Sequence, residues 1–141
     1  MKNILALDLG RGSLGIAISR SGMFVTPLEN LRFPMDAFDE AILLLKDVLH
    51  GEKVEHIVIG YPSYPSGDPC PMSHIVERFI PLLEKAFPGR DIVKEDERYS
   101  TSEASDLLHR GGKNAARQHK TIDSAAACVI LERYLRRIGQ Y

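Results

Sequence analysis

Three acidic residues of this 141-residue chain stand where catalytic carboxylates can converge: Asp8, Glu97 and Asp123. Asp8 closes the apolar run Ile4-Leu5-Ala6-Leu7, Glu97 closes a run that starts at Asp91, and Asp123 stands near the start of a final helical stretch. Strand ends and a helix N-terminus can meet at one edge of an α/β sheet. A carboxylate in a first helical turn is kept ionised by the amide dipoles, which suits Asp123 to hold a cation. Three converging carboxylates repel one another unless divalent cations lie between them, and ligation by oxygen alone selects Mg²⁺ or Mn²⁺ over zinc. That is the outline of a phosphoryl-transfer site. Each acid also has a plainer reading: Asp8 as a turn residue before Gly10, Glu97 as one of the solvated acids Glu95-Asp96-Glu97, Asp123 as a helix-dipole partner. Asp8 departs furthest from its plainer reading, because a charge directly after four apolar residues lies near buried surface and needs a partner. Strand alternation points Asp96 and Glu97 to opposite faces, and the sequence leaves open which of them meets the site.

Around these acids the cations are unevenly spread. The formal net charge is -1, yet residues 107 to 141 hold seven cations against two acids, a local balance of +5. Arg110, Lys113, Arg117 and Lys120 fall within His109 to Lys120, a stretch with Gly111-Gly112 and no acid, which reads as a basic loop. Beside Asp123 such a loop could contact a phosphodiester, each cation neutralising one phosphate. The five histidines show no ligand spacing and no pairing with a cysteine.

The elements that must position these residues follow from periodicity and punctuation. Asn3 to Asp8 and Leu14 to Ser19 read as two strands of a hairpin turning at Gly10-Arg11-Gly12-Ser13. Met23 to Phe33 is a weaker third strand, which Pro27 restricts to a sheet edge or to Met23 to Thr26. Phe38, Ala41, Ile42, Leu45, Val48 and Leu49 recur at helical spacing, with Asp36 as expected N-cap and Gly51 as expected C-cap. Val54 to Gly60 reads as a buried strand leading into the proline-rich loop Tyr61 to Pro69. Met72 to Phe87 is a second helix carrying Pro81, and Asp91 to Glu97 a last strand. Ser100 and Glu103 make a capping box for a third helix ending at Gly111-Gly112, and a final helix begins near Thr121. The pattern predicts one α/β domain over residues 1–141, a mixed sheet with three antiparallel N-terminal strands and flanking helices.

Length and composition bound the setting. With 44% hydrophobic residues the chain can fill one ordinary core. No apolar run approaches the roughly 18 residues that span a bilayer, and Ile4 to Leu7 is too short for a secretory signal core, so neither membrane insertion nor export is expected. Cys70 and Cys128 lack metal-ligand spacing and read as free thiols of a reducing cytoplasm.

Five segments carry a family resemblance. Asp8-Leu9-Gly10, Leu14-Gly15-Ile16-Ala17-Ile18-Ser19, Ile57-Val58-Ile59-Gly60-Tyr61-Pro62, Asp96-Glu97-Arg98 followed by Ser100-Thr101-Ser102-Glu103-Ala104, and Lys120-x-x-Asp123-Ser124-x-Ala126 resemble, in order and over nearly the whole chain, the motifs of the YqgF/RuvX family. The resemblance implies a ribonuclease H-like fold related to RuvC resolvases. It also implies a bacterial cytoplasmic nuclease that matures the 5′ end of precursor 16S ribosomal RNA or resolves Holliday junctions, with its acidic triad on Asp8, Glu97 and Asp123. Two positions depart from the family's pattern. Gly12 stands where a basic residue is usual, leaving Arg11 to supply that charge, and Tyr64 replaces the asparagine of the Gly-Leu-Pro-x-Asn loop. Tyr61 and Tyr64 could stack on an unpaired base or pack within the loop.

Together these readings predict a Mg²⁺- or Mn²⁺-dependent endonuclease acting on structured nucleic acid, precursor ribosomal RNA ahead of branched DNA. Arg98 and Lys120 join Arg11, Arg110, Lys113 and Arg117 as candidate phosphate contacts. The alternatives are a Holliday-junction resolvase and a non-catalytic nucleic-acid-binding module of the same fold. An actin-like nucleotide-binding protein, which Asp8-x-Gly10-x-Gly12-Ser13 also resembles, would need two such domains around ATP. No motif reports a dimer interface.

Overall fold

The computed structural model describes residues 3–20, 22, 24–97 and 115–139, with 115–124 described by their backbone alone. The chain runs β1 (Ile4–Leu9), β2 (Ser13–Arg20), β3 (Phe24–Arg32), α1 (Phe38–Val48), β4 (His56–Tyr61), α2 (Pro71–Ala86), β5 (Asp91–Asp96) and α3 (Ala115–Arg137). The sheet has the order β3-β2-β1-β4-β5. Its first three strands are antiparallel, and β1, β4 and β5 are parallel. Pro27 sits on the edge strand β3 opposite Ala17, where the β2–β3 register shifts. There the missing N–H costs no ladder bond to a further strand.

Alternation along the strands sends two sets of side chains to two helical layers. Leu5, Leu7, Ile16, Ile18, Ile57 and Ile59 are fully buried with Leu45 of α1 and with Phe79 and Leu83 of α2. Phe38 stacks edge-on against Phe33 at 6.1 Å and Phe79 at 5.8 Å, tying β3, α1 and α2 together. On the other face the residues are small: Ala6, Ala17 and Val58 meet Ala127, Ile130, Leu131, Tyr134 and Leu135 of α3. Small residues let this helix approach the sheet closely, and α3 is also the element that carries Asp123.

Three helix ends differ from the sequence expectation. Asp36 does not cap α1; the N-cap is Ala37, without a side-chain bond. Asp36 instead adopts φ 63°, and its carboxylate takes the Arg11 guanidinium at 2.6 and 3.0 Å. Aspartate tolerates this left-handed region better than most residues, and the ion pair to a residue distant in sequence outweighs the local cap. α1 ends at Val48 with Leu49 as C-cap, so Gly51, at φ 84°, belongs to the turn beyond it. The final helix begins at Ala115, six residues before the expected Thr121, because nothing from Ala115 to Lys120 breaks a helix. The expected helix opened by Ser100 and Glu103 lies outside the described residues.

Candidate functional site

The C-terminal ends of the parallel strands β1, β4 and β5 form one edge of the sheet, and two of the three candidate acids sit there. Asp8 is the penultimate residue of β1, half-buried, and pairs with Gly15 of β2. It follows Ile4 and Ala6 on the face covered by α3. Glu97 directly follows β5, and its N–H donates to the Tyr61 carbonyl at 3.4 Å, extending the β4–β5 ladder by one residue. Val93 packs on the α3 side, so alternation puts Glu95 and Glu97 on that side and Asp96 on the other. Glu97 is buried, with 9% of its surface exposed, whereas Asp96 is exposed. The face left open by the sequence is therefore fixed by register, and Glu97 shares it with Asp8.

Gly60 explains how a carboxylate fits there. A Cβ at Gly60 would lie 2.5 Å from Glu97 Oε2, 2.6 Å from its Cδ and 2.7 Å from Ile130 Cδ1. The carboxylate thus lies directly over the glycine backbone, beneath α3. In the β1–β4 register Leu7 pairs with Ile59, so Gly60 is next to Asp8, one strand spacing of about 4.8 Å away. Gly60 was legible only as part of a motif; its function as a cradle for Glu97 needs the fold.

Glu95 is a further buried acid on the same face that the sequence hid among solvated neighbours. Its Oε1 accepts from Arg137 Nη2 at 2.6 Å and Nε at 3.1 Å, and the Arg137 guanidinium also lies 5.3 Å from the Tyr134 ring centroid. The hydrogen bonds and ion pair raise the Arg137 pKa above its ordinary value. Arg133 donates to the Asp96 carbonyl at 3.4 Å. These bonds seat the C-terminal turns of α3 on β5. Glu95 therefore serves the helix, and Glu97 faces the edge.

Asp123 lies on α3, but at the ninth residue of Ala115–Arg137 and not in the first turn. The expected support from the helix dipole is therefore absent, since that field fades beyond the terminal turn. Asp123 stands four residues before Ala127 and seven before Ile130, on one helical stripe, about 10.5 Å of helix rise from Ile130. Its side chain lies outside the described structure. Among the described residues no three acidic, histidine or cysteine side chains come together as a metal cluster.

The candidate cations divide similarly. Arg98, Arg110 and Lys113 lie outside the described residues. Arg117 and Lys120 belong to the helical backbone of α3, so the stretch up to Lys120 is not all loop as expected. Arg11 is bidentate on Asp36, its pKa raised by that bond, and holds the β1–β2 turn to the entrance of α1. Tyr61, the last residue of β4, and Tyr64 of the loop also part company. Lys94 Nζ lies 4.9 Å from the Tyr61 ring centroid and bonds Glu77 at 2.6 Å, with the Tyr61 hydroxyl also on Glu77. Tyr64 is exposed. Cys70 and Cys128 are both unpaired, and burial pushes the Cys128 thiol up to about 11.

The model of the RuvX family, described as Holliday junction resolvase, matches residues 2–137. The chain belongs to the RuvX family. A protein of Chlorobium phaeobacteroides (strain BS1) named "Putative pre-16S rRNA nuclease" is 32% identical to this RuvX chain over 143 residues, covering 99% of the chain and 95% of that protein. A protein of the same name from Mycoplasmopsis pulmonis (strain UAB CTIP) is 38% identical over 133 residues, covering 93% and 90%. Among solved structures, Thermus thermophilus RuvC in complex with Holliday junction substrate is similar with a TM-score of 0.61 at 13% identity, over 99% of this chain and 98% of that one. The RuvX chain thus has the RuvC fold, the ribonuclease H-like architecture that its motifs imply. No helix among the described residues is long and apolar enough to cross a membrane.

Proposed function

We propose that this RuvX chain is a metal-dependent endonuclease that processes structured nucleic acid, with the 5′ region of precursor 16S ribosomal RNA as its substrate. The observation that carries the reading is the Glu97 carboxylate laid over Gly60 beside Asp8, at the open end of the parallel strands. Two carboxylates gathered on one half-buried edge fit a hard, oxygen-seeking cation, since the cost of ionising both falls when a divalent ion lies between them. Asp8 and Glu97 would hold Mg²⁺ or Mn²⁺, with Asp123 reaching the same edge from α3. When bound, such an ion supplies an activated water and charge that offsets the phosphodiester oxygens during in-line displacement.

The chain's own residues then have separate duties. Asp8 and Glu97 hold fixed negative charge at the edge. Gly60 and Ile130 confine the Glu97 carboxylate to one place. Arg98 and Lys120 flank two of the acids in sequence and are the candidates for neutralising the scissile phosphate. Arg110, Lys113 and Arg117 contact the flanking backbone. The names of the relatives support ribosomal RNA, whereas the family description and the RuvC likeness support a junction. Incubating the protein with precursor 16S RNA and with a four-way DNA junction, each in Mg²⁺ and in chelator, separates these. Mg²⁺-dependent cutting of the RNA at a defined position is expected, with the junction cut poorly. Binding of both substrates with cleavage of neither would make the chain a binding module.

The basic stretch carries its own prediction. Reversing charge at Lys113 and Arg117 should weaken binding across unrelated sequences. It should also flatten the dependence of log affinity on log salt by roughly 0.7 to 0.9 for each phosphate that is no longer neutralised. Unchanged affinity and slope in that double variant would remove the stretch from the interface.

A further inference from the structure

Resting on the nucleic-acid reading above, we propose that Tyr64 is a stacking platform for one unpaired base beside the cleavage edge, so that the enzyme engages single-stranded or splayed RNA in preference to a continuous duplex. Four observations lead there. Tyr64 is 51% exposed, although it is a large aromatic residue in a loop closed by its own hydrogen bonds. Among the described residues the other strongly exposed aromatic, Phe24, pairs with Arg20 at the opposite edge of the sheet. Tyr64 follows Gly60 by four residues, so its backbone lies within about 14 Å of the glycine that cradles Glu97. The neighbouring Tyr61 is already committed beneath Lys94 and on Glu77, and Tyr64 is left to face solvent.

The loop that carries Tyr64 is tied down on all sides. Its N–H donates to the Asp68 carbonyl at 2.9 Å, and its carbonyl accepts from the Gly67 N–H at 2.8 Å. Ser63 and Pro69 form a bridge across the loop. Ser66 Oγ donates to the Asp68 carboxylate at 3.1 Å. At the base, Ser73 of α2 donates its hydroxyl to the Pro62 carbonyl and accepts the Cys70 N–H at 2.9 Å. Pro62, Pro65, Pro69 and Pro71 restrict the same stretch further. A backbone fixed before binding leaves only the tyrosine's own rotamer to be ordered, which is the economy expected of a preorganised contact. A phenol ring offers a flat π-face to any base, so the contact is tolerant of sequence. It rejects a duplex, whose bases are already stacked on their neighbours.

The test measures affinity in an Asp8→Asn background, which keeps the RNA intact, for a short single-stranded RNA, for the same strand in a perfect duplex, and for single strands with one base removed at each position in turn. Tyr64→Ala should weaken single-strand binding by roughly 5- to 150-fold. It should leave duplex binding and the melting temperature unchanged, because the side chain is exposed, and Tyr64→Phe should bind as the parent does. One abasic position should cost the parent as much as Tyr64→Ala does and cost Tyr64→Ala nothing more, the signature of two groups that form one contact. Equal single-strand affinity in the parent and Tyr64→Ala, with salt-dependent binding retained in both, would overturn the platform while leaving the nucleic-acid reading intact. An absence of salt-dependent RNA binding in the parent would overturn both. A Tyr64→Ala defect equal on duplex and single strand, with no abasic position coupled to it, would also overturn the platform and make Tyr64 a contact to the RNA backbone.

Discussion

Replacing Asp8 by asparagine is expected to abolish cleavage and leave the fold intact. Asparagine keeps the size of the side chain but removes one ligating charge from the edge where Glu97 also lies. Substitutions in the outer shell of a metal site already cost about 10- to 100-fold, so loss of a direct ligand should exceed about 100-fold in rate. Without metal the variant should melt at the same temperature as the parent or slightly higher, because one of the neighbouring acids no longer repels the rest. Added Mg²⁺ should then raise the parent's melting temperature more than the variant's, since a ligand that binds only the folded state stabilises it by mass action. Thermal scans with and without Mg²⁺, beside a cleavage assay, check both halves. Equal cleavage by both proteins would make Asp8 structural and turn the chain into a binding module.

Gly60→Ala is expected to be nearly as damaging, although the new methyl group carries no chemistry. It would stand 2.5 Å from Glu97 Oε2 and 2.7 Å from Ile130 Cδ1, distances that neither neighbour tolerates without moving. Overpacking of this kind costs about 1 to 3 kcal/mol of stability. The loss of activity should be larger, about 100-fold, because a displacement near 1 Å at a reacting group has that effect. A second substitution separates the two losses. Ile130→Val removes the Cδ1 atom, so Gly60→Ala with Ile130→Val should regain melting temperature more fully than it regains cleavage, the carboxylate still being pushed from its seat. Recovery of both in parallel would mean that Gly60 matters only for packing.

These two positions also show what a sequence can and cannot reveal. Asp8 stands out because a charge after Ile4 to Leu7 conflicts with the apolar pattern, and such conflicts mark functional sites. The sheet was legible in the alternation of Leu14 to Ser19, in the buried run from Val54 and in Pro27, which belongs on an edge strand and is on one. Glu97 could not be separated from Asp96, because the face of a strand is set by its partners, here the pairing of Gly60 with Glu95 and Tyr61 with Asp96. Glu95 was hidden for the same reason, as its partner Arg137 lies 42 residues away. Asp36 illustrates a local signal overruled by a distant one: an aspartate before a helix reads as a cap, but Arg11 claims its carboxylate. The start of α3 was misplaced because the Gly111-Gly112 stop and the Lys120-x-x-Asp123 motif framed a loop, whereas the residues from Ala115 form helix without difficulty. That shift moves Asp123 from a terminal turn into the body of the helix and leaves helical phase with Ala127 and Ile130 as the reason to place it over the sheet.

If Asp8, Glu97 and Asp123 hold one metal centre at the end of the parallel strands, the anomalous scattering of Mn²⁺ in crystals of the wild-type protein is the most direct measurement of it. A peak is expected at the strand edge, ligated by carboxylate oxygens of Asp8, Glu97 and Asp123. Manganese ligated elsewhere, or an ordered structure with Asp123 turned away from the sheet edge and no peak beside Glu97, would contradict that single centre.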